Sequence, residues 1–279
     1  MKYAIALLLL FLLFLIYVYA ESRLLVTRRY EICSMKLPMS FDGMKIVQIS
    51  DIHSKTYKNG WQQLVRRIKE LEPDFILITG DLISRKMTDY RKTEVLLRKL
   101  KGIAPVICSL GNHELDLSDR NRSRLMGIIE SCDCTVLNNN TAEITEDGQS
   151  ITIAGLSLEK ANYKNENGGY KDLKDVQPED IRRDIGSKKG FTILMAHNPL
   201  FLESYAEWGA EIIFSGHVHG GVGRLPLIGG ILSPERKFFP KYTKGLYTKD
   251  GSTMLVSTGI GKLRVFNPSE IVFCQLFRK

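Results

Sequence analysis

Apolar runs of strand length alternate with amphipathic segments in the first half of the chain. Three runs have the length of buried strands: KIVQIS (45–50), DFILITG (74–80) and APVICSLG (104–111). Helical periodicity follows each of them, in residues 61–73, 88–100 and 120–131. This β-α-β-α-β order predicts parallel strands that are covered by helices.

The second half of the chain is richer in strand-length apolar runs. These runs are SITIAGLS (150–157), FTILMAH (191–197), AEIIFSG (210–216), TMLVSTG (253–259) and EIVFCQLF (270–277). A polar stretch near residues 162–169, which contains glycine and asparagine, predicts a mobile loop. So many apolar strands favour an α/β fold in which two mixed sheets pack face to face with helices outside, a four-layer αββα sandwich.

The N-terminal segment has no charged residue between Tyr3 and Ala20. Its length is close to the roughly 20 residues of a membrane-spanning helix, so we expect a single-pass membrane anchor over residues 1–22. Cleavage after VYA, as in a signal peptide, is the alternative. Arg23, Arg28 and Arg29 follow the segment, and by the positive-inside rule they place the large domain in the cytoplasm. Lys2 carries a positive charge on the opposite side of the segment, so the orientation stays open.

The expected domain organisation follows from these patterns. Residues 23–44 form a juxtamembrane segment with a lead-in strand, and residues 45–279 form one large domain. The chain is 279 residues long with a formal charge of +8, which suits an anionic partner such as a phosphate ester or a membrane surface. The basic residues are scattered, so no nucleic-acid or protein partner is indicated. The five cysteines have irregular spacing, which argues against a disulfide framework.

Polar clusters follow five of the apolar runs directly. The clusters are DIH, GD, GNHE, HNP and GHVH, and they contain all five histidines of the chain. Residues at the carboxyl ends of the strands in an α/β sheet collect at one edge, where ligands bind. The side chains predicted to meet there are Asp51, His53, Asp81, Asn112, His113, His197, His217 and His219.

Carboxylates, imidazoles and one amide, without a thiolate, form a coordination set for hard-to-borderline divalent metals. The set is too large for one tetrahedral ion, and two ions that share a bridging carboxylate would use it. Glycines precede several of these residues, at points where a strand must turn and its backbone must approach the site closely.

The ordered series D-x-H, GD, GNHE, H and GHVH resembles that of the calcineurin-like metallophosphoesterase superfamily. The similarity extends from about Lys45 to the last strand. The motifs FDGMKIVQISDIH, GHVHGG, RLPLIGG and VSTGIG are similar to those of its membrane-anchored bacterial branch, which includes UDP-2,3-diacylglucosamine hydrolase-type phosphodiesterases. Ser54 stands where glycine often follows D-x-H, and Val222 and Gly223 replace a Gln-hydrophobic pair. The block GDLISRK lacks the GDxxDRG pattern of the protein phosphatases.

The resemblance implies a role for each residue of the series. Asp51, His53 and His219 would hold one metal, Asn112, His197 and His217 would hold the second, and Asp81 would bridge them. Such a pair of ions supplies hydroxide near neutral pH and stabilises charge on phosphoryl oxygens. His113 would act as general acid or as hydrogen-bond donor to a transition-state oxygen, held by Asp81 or Glu114. We expect Mn²⁺, with Fe and Zn²⁺ as alternatives.

The apolar segment GRLPLIGGILSP (223–234) follows the last of these residues. It is either a packed surface loop or an apolar rim that faces lipid beside the metals. Together with the anchor, the rim favours a phosphodiesterase or pyrophosphatase acting on a lipid-linked phosphate ester such as UDP-diacylglucosamine. Arg224 and Lys262 are candidate substrate contacts. The alternatives are a phosphodiesterase acting on soluble nucleotides or nucleic acid, and a non-catalytic membrane-anchored scaffold.

Overall fold

The structure is a computed structural model that describes residues 2–53, 61–221, 223–225, 228–234, 236–261 and 265–279. Its α-helices are, in chain order, α1 (Lys2–Glu21), α2 (Gln62–Lys69), α3 (Arg91–Lys101), α4 (Asn112–Leu115), α5 (Asp119–Ser131), α6 (Pro178–Ile185) and α7 (Leu202–Trp208). Short 3-10 helices span Met39–Phe41, Lys160–Asn162 and Pro199–Phe201.

The strands of the first half are β1 (Leu25–Cys33), β2 (Lys45–Ile49), β3 (Phe75–Thr79), β4 (Val106–Ser109), β5 (Thr135–Leu137), β6 (Asn140–Glu146) and β7 (Gln149–Leu156). Those of the second half are β8 (Phe191–Ala196), β9 (Ile212–Ser215), β10 (Arg224–Leu225), β11 (Gly229–Gly230), β12 (Gly245–Lys249), β13 (Ser252–Val256) and β14 (Ser269–Phe277).

These strands form two six-stranded mixed sheets and one small hairpin. The first sheet has the order β1-β14-β2-β3-β4-β5, and only the β14–β2 pair in it is antiparallel. The second has the order β12-β13-β9-β8-β7-β6, with antiparallel pairs at its two edges. Strands β10 and β11 pair antiparallel with each other. The parallel centres of both sheets agree with the predicted β-α-β order.

The apolar core lies in three layers that separate four layers of secondary structure. The inner layer fills the space between the sheets, where Ile46 and Leu77 of the first sheet meet Ile193 and Phe214 of the second. Helices α2, α3 and α5 cover the outer face of the first sheet, and α6 and α7 cover that of the second. The αββα sandwich predicted from the sequence is therefore confirmed.

Helix α2 shows how the sequence specifies this packing. Leu64 and Ile68 are four residues apart, lie on the same helical face and are fully buried. The charged residues Arg66, Arg67 and Lys69 lie between and beyond them in the sequence, so the other face of the helix is polar. Burying this stripe against the first sheet stabilises the helix, which is too short to be stable alone.

Strand β1 pairs with β14 along its whole length, from Leu25 with Ser269 to Cys33 with Phe277. The lead-in strand thus belongs to the first sheet, although we expected the catalytic domain to begin at Lys45. Only Leu25 and Ile32 of β1 are buried, so the sequence of this strand shows no continuous apolar run.

The N-terminal helix α1 projects from this sandwich. It is long and apolar enough to span a membrane, and the most apolar 18-residue window within it has no residue buried against the protein. A signal sequence near an N-terminus has the same properties. The last residue of the helix, Glu21, is buried, and its Oε2 accepts a hydrogen bond from the backbone N–H of Phe266 at 2.6 Å.

Candidate metal centre

The eight side chains predicted to meet at one edge do so at the carboxyl ends of five strands. Strands β2, β3 and β4 of the first sheet lead into Asp51, Asp81 and Asn112, and β8 and β9 of the second lead into His197 and His217. The site therefore lies at the end of the sandwich that the two sheets share. Because this edge carries loops rather than paired strands, polar side chains can collect there without disturbing the core.

Asp51 is fully buried and its two carboxylate oxygens have different surroundings. Oδ2 accepts hydrogen bonds from Ser50 Oγ at 2.7 Å and from the backbone N–H of His217 at 3.1 Å. Oδ1 has no hydrogen-bond partner within the described residues. It lies 3.7 Å from Nε2 of both His197 and His219 and 3.9 Å from Nε2 of His53. These nitrogens are too far away for a hydrogen bond, at distances that suit ligands grouped around a cation.

Asp81 occupies the centre of the cluster. Its Oδ1 accepts a hydrogen bond from the backbone N–H of His113 at 2.8 Å. Its Oδ2 lies 3.6 Å from His53 Nε2, 3.5 Å from His197 Nε2 and 3.8 Å from His113 Nε2. Asp81, like Asp51, therefore approaches side chains from both sheets, and it also faces His113, as a bridging ligand at the centre of the cluster would.

The hydrogen bond of His197 fixes which ring nitrogen faces this cluster. Nδ1 lies 2.7 Å from the carbonyl oxygen of Thr79, which can only accept, so Nδ1 carries the proton in the neutral ring. Nε2 then presents a lone pair toward the two aspartates and has no hydrogen-bond partner in the described part of the chain. A metal-binding histidine commonly donates its other ring N–H to a backbone carbonyl in this way.

A second group of donors lies on the other side of Asp81. Asn112 Oδ1 and His217 Nδ1 are 3.0 Å apart, and the His217 ring contacts that of His197 with the centroids 5.1 Å apart. Asp51 Oδ1 and His197 Nε2 are buried without a hydrogen-bond partner in the described part of the chain, which is costly unless a cation compensates them. The residues thus fit divalent metal ions, and three triads bring their ligand atoms within 4.8 Å of one another: Asp51, His53 and His219; His53, Asp81 and His113; and Asp51, Asp81 and His197.

Burial and mutual charge shift the pKa values of these groups strongly. Burial raises the pKa of Asp51, whereas the neighbouring imidazoles overcome burial at Asp81 and hold its pKa well below its usual range. Burial disfavours the charged form of His197, but Asp81 and Asp51 raise its pKa to about 9. In the protein without metal, protons therefore supply the positive charge that the carboxylates require. Bound cations would displace them.

His113 has a different environment from the other histidines of the cluster. Its Nδ1 accepts a hydrogen bond from the backbone N–H of Arg85 at 3.0 Å. The remaining ring nitrogen, Nε2, must therefore carry the proton of the neutral ring, and it faces Asp81. We expected a carboxylate, Asp81 or Glu114, to hold this ring, but the structure shows that a backbone amide binds Nδ1.

Glu114 instead binds the loops that carry the site. Its Oε2 accepts from the backbone N–H groups of Asp81 at 2.9 Å and Gly111 at 2.8 Å, and its Oε1 accepts from that of Ile83 at 3.0 Å. Burial and the charge of Asp81 raise the pKa of Glu114 to about 8. The three bonds connect the loop after β3 with the loop after β4, so Glu114 positions Asp81 and Asn112 relative to each other.

A cavity of about 220 Å³ opens beside Asp81, Asn112, His113, His217 and His219. Its outer wall contains Pro234, from the segment considered as an apolar rim, and residues that were not proposed as site residues: Arg85, Leu115, Asp116, Lys160, Tyr163, Lys164 and Tyr170. The Tyr163 ring packs edge-on against His217 with the centroids 5.1 Å apart. Tyr163 and Lys164 belong to the polar stretch predicted as a loop, and no regular element spans residues 163–177.

Of the two substrate contacts proposed from the sequence, Arg224 does not line this cavity. Arg224 lines a neighbouring pocket with Leu225, Ile228 and Phe239. Its Nη1 donates to Thr243 Oγ1 at 3.1 Å and to the Gly220 carbonyl at 3.4 Å, so it supports the loop that follows His219. Lys262 lies outside the described residues, as do Ser54 and Val222.

Comparison with known proteins identifies the class to which this arrangement belongs. The family model for calcineurin-like phosphoesterases matches residues 44–221. The chain is 29% identical over 252 residues to the Bacillus subtilis metallophosphoesterase YkuE, and the match covers 88% of this chain and 82% of YkuE. It is 30% identical over 196 residues to a Bos taurus transmembrane protein with a metallophosphoesterase domain, covering 67% of this chain and 42% of that protein.

A similar fold occurs in a solved structure. The phosphopantetheinyl hydrolase PptH of Mycobacterium tuberculosis superposes with a TM-score of 0.51 at 15% identity, over 79% of this chain and 91% of PptH. At this level of identity the similarity concerns the sandwich alone.

Proposed function

The chain belongs to the calcineurin-like phosphoesterase family and is a phosphoester hydrolase. We propose that it is a phosphodiesterase or pyrophosphatase that uses two metal ions and acts on a membrane-associated substrate. The observation that carries the catalytic part of the proposal is the convergence of Asp51, Asp81 and His197 at one buried point. Asp51 Oδ1 and His197 Nε2 have no hydrogen-bond partner within the described residues, and a bound cation would compensate both atoms.

The ligands divide into two groups around Asp81. Asp51, His53 and His219 form the first group, in which the imidazole Nε2 atoms face Asp51 Oδ1. Asn112, His197 and His217 form the second, in which Asn112 Oδ1 lies beside His217 Nδ1. Carboxylate, amide and imidazole donors suit Mn²⁺, and Fe and Zn²⁺ accept the same donors.

When bound, the two cations supply Lewis-acid activation of water and neutralise the charge that develops on the phosphoryl oxygens. The chain supplies the orientation of these groups. Ser50 and the amide of His217 hold Asp51, the Thr79 carbonyl holds His197, and Glu114 holds the loops of Asp81 and Asn112. Rigid support of this kind lowers the reorganisation that the transition state requires.

We propose that His113 donates a hydrogen bond from Nε2 to an oxygen of the reacting phosphoryl group or of the leaving group. The Arg85 amide occupies Nδ1 and thereby leaves the proton on Nε2, which lies at the edge of the cavity. This tautomer favours a hydrogen-bond donor to the transition state, one of the two roles considered for this residue. Such a donor contributes roughly 100- to 1000-fold to turnover.

A lipid-linked substrate, such as UDP-diacylglucosamine, is supported by the position of the N-terminal helix. Phe266 contacts the rings of Tyr17 and Phe14, with centroid distances of 5.1 and 6.3 Å. Along the helix axis, Tyr17 and Phe14 lie about 6 and 10 Å before Glu21. If α1 crosses a bilayer, Phe266 therefore reaches the membrane surface. The adjoining residue, Asn267, donates from its side-chain amide to the carbonyl of His219.

Exposed apolar side chains also occur between residues 228 and 239, where Ile228 and Phe239 line the same pocket as Arg224. Ile228, Phe238 and Phe239 are 60%, 72% and 61% exposed. Such a patch on a soluble surface is typical of contact with lipid or another apolar partner. It favours a substrate whose phosphate group is presented at the bilayer.

A substrate panel tests this proposal. The full-length chain, purified in detergent and supplied with Mn²⁺, is assayed on bis-p-nitrophenyl phosphate, a UDP-linked glycolipid, a phospholipid, a cyclic nucleotide and single-stranded DNA. We expect hydrolysis of the model diester and a higher kcat/KM for the UDP-linked glycolipid than for the nucleotide or the DNA. Preference for either of the last two would favour the soluble-substrate alternative.

Elemental analysis separates the enzyme from a non-catalytic scaffold. We expect close to two equivalents of divalent metal per chain, with Mn²⁺, Fe and Zn²⁺ measured together. A metal content near zero after incubation with each ion and removal of the excess would contradict the proposed centre.

A further inference from the structure

We propose that Arg85, Lys160 and Lys164 form a second anion subsite beside the metal centre, which binds a phosphate group adjacent to the one that is hydrolysed. The inference rests on the proposed function, since it assigns the metals to the scissile phosphoryl group. It narrows the substrate to the diphosphate class, in which two phosphoryl groups are joined by one oxygen.

The cationic groups come from separate segments and converge on one carboxylate. Arg85 follows β3 and its Nη1 lies 2.9 Å from Asp116 Oδ2. Lys164 follows the 3-10 helix Lys160–Asn162 and its Nζ lies 2.6 Å from Asp116 Oδ1. The side chain of Asp116 is only 10% exposed, whereas those of Arg85 and Lys164 are 40% and 33% exposed. Asp116 thus positions both cations while leaving part of each accessible.

The cluster carries excess positive charge. One carboxylate, Asp116, faces Arg85 and Lys164, and Lys160 adds a third cation to the same cavity wall. Lys160 is exposed and forms no ion pair within the residues that the structure describes. An anion placed here would gain charge-assisted hydrogen bonds in a partly desolvated site, where electrostatic attraction is stronger than in bulk water.

The position of the cluster relates it to the reaction. The same cavity is lined by Asp81, Asn112 and His113 on one side and by the cationic residues on the other. The backbone N–H of Arg85 donates to His113 Nδ1. Arg85 therefore both positions His113, the proposed hydrogen-bond donor, and carries a guanidinium on the same cavity wall. A group bound by Arg85 and Lys164 is therefore a close neighbour of the scissile phosphoryl group.

A phosphate group fits these donors better than an uncharged group does. The planar guanidinium of Arg85 can present two N–H groups to phosphate oxygens, and the ammonium groups of Lys160 and Lys164 act as compact positive charges. A cavity of about 220 Å³ accommodates a diphosphate but leaves little room for a bulky leaving group. The remainder of such a substrate would extend past Tyr170, which lines both this cavity and the adjoining pocket.

The test compares the binding of two non-hydrolysable probes. Methylphosphonate has one phosphonate group and methylenediphosphonate has two, and each is titrated calorimetrically into the full-length chain in detergent with excess Mn²⁺. We expect Lys164→Met and Arg85→Met to weaken methylenediphosphonate binding about tenfold each, because each removes a charge-assisted hydrogen bond. The affinity for methylphosphonate should change less than twofold.

Lys101→Met is the matched control. The Lys101 side chain is 33% exposed, like that of Lys164, and its Nζ forms an ion pair with Asp133 at 2.8 Å at the end of α3, away from the cavity. This variant should bind both probes like the unsubstituted chain. Lys160→Ala provides a second variant, whose exposed side chain forms no ion pair among the described residues, and it should weaken methylenediphosphonate binding about threefold or more.

The results also separate this inference from the proposed function. Equal effects of the substitutions on both probes, or no effect on either, would show that Arg85 and Lys164 only join two loops through Asp116. That outcome overturns the subsite and leaves hydrolysis of bis-p-nitrophenyl phosphate intact. Absence of this hydrolysis in the unsubstituted, metal-loaded chain would instead overturn the proposed function.

Discussion

At the residue scale, five of the seven proposed ligands share an unusual backbone conformation. Asp51, His53, Asp81, His217 and His219 have positive φ angles between 48° and 66°. This left-handed region is uncommon for residues other than glycine and costs on the order of 1–3 kcal/mol per residue. Hydrogen bonds between loops offset the cost: the amides of Asp51 and His53 donate to the carbonyls of Gly80 and Asp81 at 3.1 and 3.0 Å. The conformation aims the side chains at one point, and no local pattern in the sequence encodes it.

Asp81→Asn tests the bridging ligand. Asparagine retains an Oδ1 that can accept from the His113 amide, so the loop keeps its hydrogen bond while the bridge loses its negative charge. We expect loss of at least one metal equivalent and a fall in kcat/KM of more than roughly 100-fold, since even supporting residues of metal ligands contribute up to that factor. Elemental analysis and the bis-p-nitrophenyl phosphate assay measure the two effects.

Asp89→Asn is the control for this substitution. Asp89 is exposed and pairs with Arg91 at 2.6 Å, remote from the cavity. It should retain both metal and activity. Full metal content in the Asp81→Asn variant would remove Asp81 from the role of bridge.

His113→Ala tests the proposed hydrogen-bond donor. The substitution removes Nε2 from the cavity but leaves the seven proposed metal ligands in place. We expect kcat to fall by roughly 100- to 1000-fold while the chain keeps its metal content. Steady-state kinetics combined with elemental analysis of the same preparation gives both values. Loss of metal together with turnover would show that His113 acts as a ligand, and unchanged turnover would remove it from the role of donor.

The sequence predicted the ligand cluster better than its surroundings. Each proposed ligand directly follows an apolar run, so the topology of the strands determined which residues would meet. Arg85, Asp116 and Lys164 meet in space but lie in polar segments without periodicity. Their convergence depends on how three loops fold over the cavity, and the local sequence contains no signal for it. The backbone amide that binds His113 Nδ1 was missed for the same reason, because any residue can supply an amide.

At the element scale, close contact between the two sheets constrains the ends of their strands. Gly216 follows β9, and an added Cβ there would overlap Ser50 Oγ and lie 2.5 Å from Asp51 Oδ2. The second sheet can thus approach the loop after β2 only because this position has no side chain. The glycine that precedes the histidines of GHVH therefore has a steric function in assembling the site.

Gly216→Ala should destabilise the protein by about 1–3 kcal/mol, because the added methyl group must displace the loop that carries Asp51. Thermal unfolding and metal content should both show the change. Gly127→Ala is the matched substitution in α5, where an added Cβ meets no atom within 4 Å. It should stabilise the protein by roughly 0.5–1 kcal/mol, since alanine favours the helix interior. Equal effects of the two substitutions would contradict the close-approach argument.

The sequence predicted the central strands of both sheets but not the strands at their edges. Strands β2, β3, β4, β8 and β9 are buried on both faces and appear as continuous apolar runs. Strand β6, at an edge, has the sequence NTAEITE and no fully buried residue. Helices α6 and α7 were not predicted; α6 buries only Pro178 and Ile181, so no apolar stripe repeats along it.

At the scale of the whole molecule, one chain of contacts connects the N-terminal helix with the metal centre. Tyr17 packs on Phe266, Glu21 accepts from the Phe266 amide, and Asn267 donates to the carbonyl of His219. Asn267 is buried and one residue from Phe266, so this segment has little freedom to move independently. If α1 crosses a bilayer as proposed, these contacts would hold the sandwich in a defined orientation with the cavity near the membrane surface.

Phe266→Ala tests this orientation. Removal of the ring takes away the surface against which Tyr17 and Phe14 pack, while the backbone bond to Glu21 remains available. With the chain reconstituted in phospholipid vesicles, we expect kcat/KM for the UDP-linked glycolipid to fall roughly tenfold, the equivalent of losing the burial of about one aromatic side chain. Hydrolysis of soluble bis-p-nitrophenyl phosphate should be unaffected, because the substitution leaves every proposed ligand intact. Val95→Ala, which removes an exposed apolar side chain on α3, should change neither activity. If Phe266→Ala reduced both activities equally, Phe266 would act on the metal centre itself through Asn267 and His219, and the membrane would play no part in its effect.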